Sequence, residues 1–313
     1  MEIKKVSLIG LGAMGSFFAP RLYQFLGENF SVIADGARAE RLRTAGVKLN
    51  GQVWHFPVAE PSVCREDDLI IMAVKEMDLD QALEDIQNRV GARTQILCVM
   101  NGVESEERVA RRYGWEHVLY SFMRISIVMK DGVADFNPNG GKVYFGEKKN
   151  EKPWSERVQA IADLFDGCAI PYCVSEDMVH AMWFKYMCNI GENMTCALLG
   201  IPFGYFRWNE DANAIRRAAM AEVVAIAAVK GIYLTPEEAA GQEKVLAGIP
   251  YENKPSTLQD LERGRKTEIE MFAGSVVRMG EETGVPTPVN RLLWHAIRAL
   301  EAKNIYGIKE KNQ

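Results

Sequence analysis

Several features that define common functional classes are missing from this sequence. No apolar run reaches the about 18 residues that a membrane-spanning helix needs, so we expect no membrane partner. The net charge at pH 7 is −5, whereas proteins that bind nucleic acid or anionic lipid usually carry a basic surface. We therefore expect no nucleic-acid partner either.

Cysteine and histidine are scarce and form no pattern typical of a metal site or a redox pair. The chain has 6 cysteines and 4 histidines, with no CxxC, HxxxH or mixed His/Cys cluster among them. Most of the cysteines lie in apolar sequence surroundings, which favours buried, reduced thiols in a cytoplasmic protein. We therefore expect a cytoplasmic location and no bound metal.

The most informative stretch is a glycine-rich motif near the beginning of the chain. The mostly apolar residues Val6–Ile9 run directly into Gly-x-Gly-x-x-Gly, and an amphipathic stretch follows over residues 16–26. This order predicts a buried strand, a tight turn and a helix start, as in dinucleotide-binding folds. The helix start would offer N–H groups and partial positive charge to a pyrophosphate. The cofactor-binding candidates in the motif are Gly10, Leu11, Gly12, Ala13, Met14 and Gly15.

The order of the predicted elements indicates two domains. Up to residue 146, apolar strand candidates alternate with amphipathic helices, which is typical of a parallel sheet with right-handed crossovers. From residue 175 onward only helical periodicity remains, including predicted long helices over 175–199 and 258–283. The expected fold class is α/β, with an N-terminal Rossmann-type domain over residues 1–170 and an all-helical C-terminal domain over residues 171–313. We expect ligands at the carboxyl ends of the strands, with the helical domain closing over that edge.

Asp35, at the end of the second predicted strand, bears on the choice of dinucleotide. An acidic side chain there accepts hydrogen bonds from the ribose hydroxyls of NAD and repels the 2′-phosphate of NADP. Arg38 and Arg41 follow closely and could clamp that phosphate instead, or form a solvated helix face. These residues alone leave the cofactor open.

Two more strand ends carry polar residues. Lys75 follows the strand predicted over 68–74, and Asn101 follows the strand predicted over 95–100. A lysine at such an edge can meet a phosphate or a substrate carboxylate, whereas Asn101 with the next glycine could also be only a turn. Both are candidates for cofactor contact, and Asn101 also for substrate contact.

The second half contains a further set of polar candidates. Lys185, Asn189 and Asn193 recur every four residues among apolar neighbours, so they share one face of a helix. Such groups are costly to bury without partners, so they either face solvent or line a polar ligand pocket, which we favour. Asn253 and Ser256 precede another helix, where Ser256 could also be only an N-cap. Further along that predicted helix lie Glu268 and, on its surface, Glu270.

Together these motifs resemble the ketopantoate reductase family (2-dehydropantoate 2-reductases). The resemblance spans residues 5–300 and rests on the blocks GLGAMG, AVKEMD, MNGVES, WFKYMCN with a second Asn after it, KPSTLQDLERGRKTEIE and GVPTPVN, in the family's order. The first block is generic and the second to fifth are specific. The resemblance implies a Rossmann domain, a helical domain, and reduction of 2-ketopantoate to pantoate with NADPH on the route to coenzyme A. A homodimer is expected from the resemblance only.

The resemblance also implies a role for each candidate. Lys185 matches the catalytic lysine and Glu268 its acidic partner. As an ammonium, the lysine would stabilise charge on the carbonyl oxygen and donate the proton while a hydride reaches the keto carbon. The positions that match substrate-binding residues are Asn189, Asn193, Ser256 and, as a further candidate, Asn253; Lys75 and Asn101 match residues beside the nicotinamide and the substrate carboxylate.

Two residues depart from the family's pattern. Asp35 stands where the family often has an arginine that binds the 2′-phosphate, which keeps NADH open beside NADPH. Glu192 stands where an apolar residue usually precedes the second asparagine, and it would oppose an acid substrate if it faced the pocket. A reductase of another 2-keto acid therefore remains an alternative.

Two further alternatives differ more in kind. The β-hydroxyacid dehydrogenases share GLGxMG and a helical Lys-x-x-x-Asn, but their glycine-rich substrate motif is absent between the predicted domains. A dinucleotide-binding sensor without catalysis is the non-enzyme alternative, and the presence of both Lys185 and Glu268 argues against it.

Overall fold

The computed structural model of the protein describes residues 2–125, 128–130, 133–137 and 140–307. The chain divides into two compact units, Met1–Val179 and His180–Gln313. The first unit is built on a mainly parallel sheet with helices, and the described part of the second is helical. The predicted fold class is therefore confirmed.

The main sheet of the first unit has the strand order β12-β11-β8-β7-β6-β1-β2-β5. Neighbouring strands are parallel except β8 and β11, which pair antiparallel. A smaller sheet has the order β4-β3-β10-β9. The strands are β1 (Val6–Ile9), β2 (Phe30–Ile33), β3 (Val47–Leu49), β4 (Gln52–Trp54), β5 (Val58–Ala59), β6 (Asp67–Met72), β7 (Val90–Cys98), β8 (Val118–Arg124), β9 (Val128–Lys130), β10 (Val133–Asp135), β11 (Lys142–Gly146) and β12 (Tyr172–Cys173).

Helices cover both faces of the main sheet. They are α1 (Ala13–Leu26), α2 (Gly36–Thr44), α3 (Leu79–Asp85), α4 (Ser105–Tyr113) and α5 (Glu156–Gly167). Alternate residues of β6 point into two separate hydrophobic cores. Ile71 packs with residues of α1, α2 and α5 on one face of the sheet, and Ile70 packs with residues of α3 and α4 on the other face. This burial on both faces explains why the central strands are almost continuously apolar in sequence.

A buried polar cluster, which the sequence did not suggest, joins the amino ends of the central strands. The Asp67 carboxylate accepts hydrogen bonds from the Ser7 hydroxyl at 2.6 Å and from Arg89 Nη1 at 3.2 Å. Arg65 Nε donates to the same carboxylate at 2.9 Å, and its Nη2 donates to the Ser31 hydroxyl at 3.1 Å. The Asp67 and Arg89 side chains are 0% exposed, so the Arg89 charge depends on Asp67 for compensation, whereas Asp67 is also paired with Arg65.

The second unit is assembled from helices and two short π-helical segments. The α-helices are α6 (Met178–Cys188), α7 (Met194–Leu199), α8 (Glu210–Val229), α9 (Pro236–Gly248), α10 (Ser256–Glu262), α11 (Ser275–Thr283) and α12 (Pro288–Tyr306). The first π segment (Asn189–Asn193) joins α6 to α7, and the second π segment (Glu270–Gly274) leads into α11. The helix predicted over 175–199 is thus continuous from Met178 but contains a π turn.

The prediction of one long helix over residues 258–283 was wrong. Helix α10 ends at Glu262, and Gly264 follows with a φ of +62°, a conformation that glycine adopts without strain. The N–H of Arg265 bonds the Asp260 carbonyl at 2.8 Å and that of Gly264 bonds the Leu261 carbonyl at 3.1 Å. This Schellman motif ends the helix and lets the chain change direction before Glu268.

Candidate active site

The glycine motif forms a close turn between β1 and α1. A Cβ on Gly10, whose φ is +94°, would lie 2.5 Å from the carbonyl carbon of Ala73, just after β6. A Cβ on Gly15 would lie 2.1 Å from the Gly10 carbonyl oxygen, so the helix can approach the turn only with glycine there. Apart from its chain neighbours, no described atom lies within 4 Å of a Cβ placed on Gly12. The motif thus packs tightly at two glycines and leaves open space at the third.

The start of α1 suits an anionic group. Gly12 is its N-cap, no side chain among the described residues caps it, and its first turn contains no acidic residue. The N–H groups and partial positive charge of a 14-residue helix are therefore directed at the space beside Gly12. These features fit the pyrophosphate of a dinucleotide.

The end of β2 places an exposed acid beside exposed arginines. Asp35 is the N-cap of α2, and its carboxylate makes no capping hydrogen bond among the described residues. Arg38 and Arg41 lie exposed on the same helix, while Arg43 pairs with Glu60 at 3.1 Å. At this strand end, the Asp35 carboxylate can accept hydrogen bonds from ribose hydroxyls, and the arginines can bind a 2′-phosphate.

Lys75 and Asn101 follow equivalent points of neighbouring strands, as the sequence predicted. Strands β6 and β7 are parallel, with Met72 in register with Cys98, and each candidate lies three residues further on. Ala73, beside Gly10, continues the ladder by donating to the Ile9 carbonyl at 2.8 Å. One edge of the sheet therefore brings together the glycine turn, the lysine and the asparagine.

Arg108 of α4 braces the turn after Lys75, which the sequence did not reveal. Its guanidinium donates to Glu76 at 2.8 Å and to Asp80 at 2.6 Å. Both acids lie within five residues of Lys75, whose backbone begins this turn. These ion pairs therefore link the turn that begins at Lys75 to α4.

The three-residue polar row of the second unit lies along α6 and the first π segment. Lys185 and Asn189 are half-buried, and Asn193 is buried with 9% of its surface exposed. Their neighbours Tyr186 and Met187 are each 1% exposed. The row is thus set into a largely apolar surface rather than fully open to solvent, although both asparagines lie in a π turn and not in the predicted α-helix.

Glu192 lies in the same π segment and contacts α8 and α9. Its two carboxylate oxygens accept hydrogen bonds from Gln242 Nε2 at 2.9 and 3.2 Å, and Arg216 Nη1 lies 3.9 Å away. Arg216 also donates to Glu243 at 2.8 Å. The Glu192 and Arg216 side chains are 7% and 2% exposed, so the buried negative charge is balanced inside the unit.

Glu268 is half-buried and precedes the second π segment. Its carbonyl accepts the N–H groups of Met271 and Phe272, each at 3.1 Å, so its backbone begins the first helical turn. On its other side, the Thr267 N–H and hydroxyl both donate to Glu301 of α12, a buried carboxylate. The backbone at Glu268 is therefore held from both directions.

Asn253 and Ser256 are both exposed at the approach to α10. Pro255, not Ser256, is the N-cap of this helix, and no side chain among the described residues caps it. The Asn253 carbonyl accepts the Phe203 N–H at 2.9 Å, which ties this loop to the turn after α7. The capping role considered for Ser256 is therefore absent, and its hydroxyl is not engaged at the helix start.

Other chemistries find little support in the described part of the chain. It contains no group of three or more His, Cys, Asp or Glu side chains able to hold a metal ion. Burial raises the pKa of the Cys168 thiol to about 12 and that of Cys98 well above its usual value, which disfavours thiolates. Among the described helices, none combines the length and the apolar character needed to cross a bilayer.

Two family models match the chain over most of its length. One, described as ketopantoate reductase PanE/ApbA, matches residues 6–150, and the other, described as its C-terminal part, matches residues 177–301. The 2-dehydropantoate 2-reductase of Streptococcus pyogenes serotype M1 is 29% identical over 307 residues, which cover 95% of this chain and 98% of that protein.

Solved structures share the fold. A ternary structure of D-mandelate dehydrogenase with NADH and anilino(oxo)acetate has a TM-score of 0.84 at 25% identity and covers 96% of this chain and 99% of its own. A dimeric ketopantoate reductase from Staphylococcus aureus has a TM-score of 0.78 at 20% identity, with the same coverage of 96% and 99%. Both are similar to this chain from the sheet through the helical unit.

Proposed function

The chain belongs to the ketopantoate reductase PanE/ApbA family, and from this membership we propose that it reduces 2-ketopantoate to pantoate with a nicotinamide dinucleotide. The observation that carries the proposal is the row of Lys185, Asn189 and Asn193 along α6 and the first π segment, half-buried or buried among apolar side chains. A cation and two amides in such a surface offer the charge and hydrogen bonds that a small keto acid needs.

The first unit carries the residues that would hold the cofactor. The space beside Gly12 and the uncapped start of α1 suit the pyrophosphate, and Asp35 suits the adenosine ribose. Lys75 and Asn101, at the same sheet edge, are proposed to contact the cofactor near its nicotinamide, with Asn101 also contacting the substrate. When bound, the cofactor supplies the hydride that adds to the keto carbon.

The second unit carries the groups that handle the proton. As the keto carbon gains the hydride, the carbonyl π electrons move to oxygen, and the Lys185 ammonium stabilises that charge and transfers one proton from Nζ. Glu268 holds the lysine or the new hydroxyl in line. Asn189, Asn193, Asn253 and Ser256 orient the carboxylate and the distal hydroxyl of the substrate, which contributes to the rate through positioning.

NADH is the cofactor that Asp35 favours. A carboxylate at this strand end accepts hydrogen bonds from ribose hydroxyls and repels a 2′-phosphate, whereas NADPH is the cofactor that the family resemblance implies. The likeness to a D-mandelate dehydrogenase with NADH supports a second candidate function, the NADH-dependent reduction of an aromatic 2-keto acid. The homodimer stays a prediction from the family, for which the S. aureus protein provides a precedent.

A matrix of 2-keto acids and cofactors tests these proposals. Ketopantoate, pyruvate, 2-ketoisovalerate and phenylglyoxylate are each assayed with NADH and with NADPH. The proposal expects the highest kcat/KM for ketopantoate, and a preference for phenylglyoxylate would select the second candidate. If either dinucleotide binds but none of these acids is reduced, both candidate functions are wrong.

A further inference from the structure

Tyr186, which no sequence motif singled out, links the helix of Lys185 to the turn of Glu268. It is the residue after Lys185 on α6 and is 1% exposed. Its hydroxyl donates to the carbonyl oxygen of Phe272 at 2.9 Å and lies against the Ser275 hydroxyl. Ser275 donates in turn to the Met271 carbonyl at 2.5 Å. Two buried hydroxyl groups therefore bind the carbonyls of the second π segment.

The second π segment needs such support. Its defining hydrogen bond runs from the Gly274 N–H to the Ile269 carbonyl at 3.0 Å, five residues back. π turns are rare, and where they occur they are frequently found at functional sites. Tyr186 brings a hydroxyl donor to the Phe272 carbonyl of this turn from another helix, and a buried carbonyl that loses such a donor carries a desolvation cost.

The π turn sets the direction of Glu268. Because an α-helix advances about 100° per residue, closing the segment as an α turn would rotate the preceding residues by about that angle relative to α11. Glu268 directly precedes this turn and its carbonyl accepts the Phe272 N–H in an α-type bond, and Thr267 before it is tied to Glu301 of α12. The Glu268 side chain therefore keeps its direction as long as the contacts before and after it, at Thr267 and at the π turn, hold the backbone in place.

We propose that Tyr186 is a positioning residue for the reaction: its hydroxyl maintains the π turn that directs the Glu268 carboxylate for its work with Lys185. This inference rests on the proposed function, since it assigns Tyr186 to the same site. Tyr186 acts through Glu268 and is not itself proposed to touch the substrate.

Tyr186→Phe tests the proposal, because it removes only the hydroxyl. Since small misplacements at a reacting centre are costly, kcat should fall about 10- to 100-fold, while KM for the cofactor changes less than about twofold. Tyr113→Phe is the matched control, since it removes a hydroxyl that donates to the Leu83 carbonyl in the first unit. The control should lose stability without losing kcat.

A double-mutant cycle separates positioning from a general structural effect. In a Glu268→Gln background, adding Tyr186→Phe should lower kcat no further, because residues that act as one unit are not additive. An equal further loss in that background, or a kcat for Tyr186→Phe within about twofold of wild type, overturns the proposal. If Tyr186→Phe does not fold, Ser275→Ala enters the same cycle, because it removes the donor to the Met271 carbonyl.

Hydrogen exchange gives a readout that does not need activity. Amides of residues 268–274 should exchange faster in Tyr186→Phe than in wild type, and should be unchanged in Tyr113→Phe. If wild type reduces none of the tested acids, the proposed function fails while exchange still decides whether Tyr186 holds this turn. Unchanged exchange at these amides overturns the inference whatever the activity.

Discussion

Replacing Gly12 by alanine should remove cofactor binding while the free protein stays folded. A Cβ at this position has no described atom within 4 Å apart from its chain neighbours, and the backbone φ of −102° lies outside the left-handed region that favours glycine. The expected loss of stability is about 1 kcal/mol or less, because alanine is only a poorer N-cap than glycine. The new methyl group would occupy the space in which the pyrophosphate approaches the backbone.

Gly15→Ala is the contrasting variant, because there the methyl group meets the protein itself. Its Cβ would lie 2.1 Å from the Gly10 carbonyl oxygen, a backbone atom that cannot turn aside. The helix must then move away from the turn, at a cost of about 1–3 kcal/mol or more for overpacking. We therefore expect Gly15→Ala to lose both stability and affinity, whereas Gly12→Ala loses only affinity.

Unfolding with and without dinucleotide measures both quantities in one assay. At a free concentration of 100 times Kd, the cofactor should stabilise wild type by about 2.7 kcal/mol. Gly12→Ala should gain only about 0.4 kcal/mol at the same concentration if its Kd rises about 100-fold. A Gly12→Ala protein that keeps the wild-type Kd would place the pyrophosphate elsewhere. A Gly15→Ala protein as stable as wild type would refute the packing argument.

Three further variants test other parts of the structure. Lys185→Ala should lower kcat about 100- to 1,000-fold, the usual cost of losing a donor to a developing oxyanion. The Kd of the cofactor, measured by fluorescence titration, should not change. Wild-type turnover in this variant would contradict the catalytic role of Lys185. Asp35→Asn should lower the ratio of kcat/KM for NADH to kcat/KM for NADPH about tenfold or more, since the charge that repels the 2′-phosphate is removed. An unchanged ratio would show that Asp35 does not select the cofactor. Asp67→Asn should lower the free energy of unfolding in denaturant by about 3–5 kcal/mol, because Arg89 stays buried without its anion. Glu60→Gln, in the exposed pair with Arg43, should lower it by about 1 kcal/mol or less. Equal losses in the two variants would contradict the argument from burial.

Features determined by local sequence were predictable. The turn at Gly10 follows from glycine's access to positive φ, and the equivalent strand ends of Lys75 and Asn101 follow from parallel pairing of two apolar strands. In each case the determining residues are neighbours in the chain or belong to one repeating pattern.

Features that depend on distant partners were not predictable. The first π segment keeps the four-residue spacing of Asn189 and Asn193, so periodicity cannot distinguish it from an α-helix. The break before Glu268 depends on one glycine, Gly264, inside a stretch that otherwise has helical character. The Tyr186 contact spans 86 residues of sequence and leaves no local pattern.

Glu192 is better explained as an anchor for α9 than as a group that faces the substrate. Among the residues of α9, only Gln242 and Leu246 are buried, so apolar packing alone holds this helix weakly. The side-chain amide of Gln242 donates hydrogen bonds to both carboxylate oxygens of Glu192. Arg216 of α8 compensates the negative charge of Glu192. An apolar residue at this position could not make these bonds. The departure from the family therefore adds a polar link between α9 and the first π segment, and the charge of Glu192 is not by itself an argument against an acid substrate.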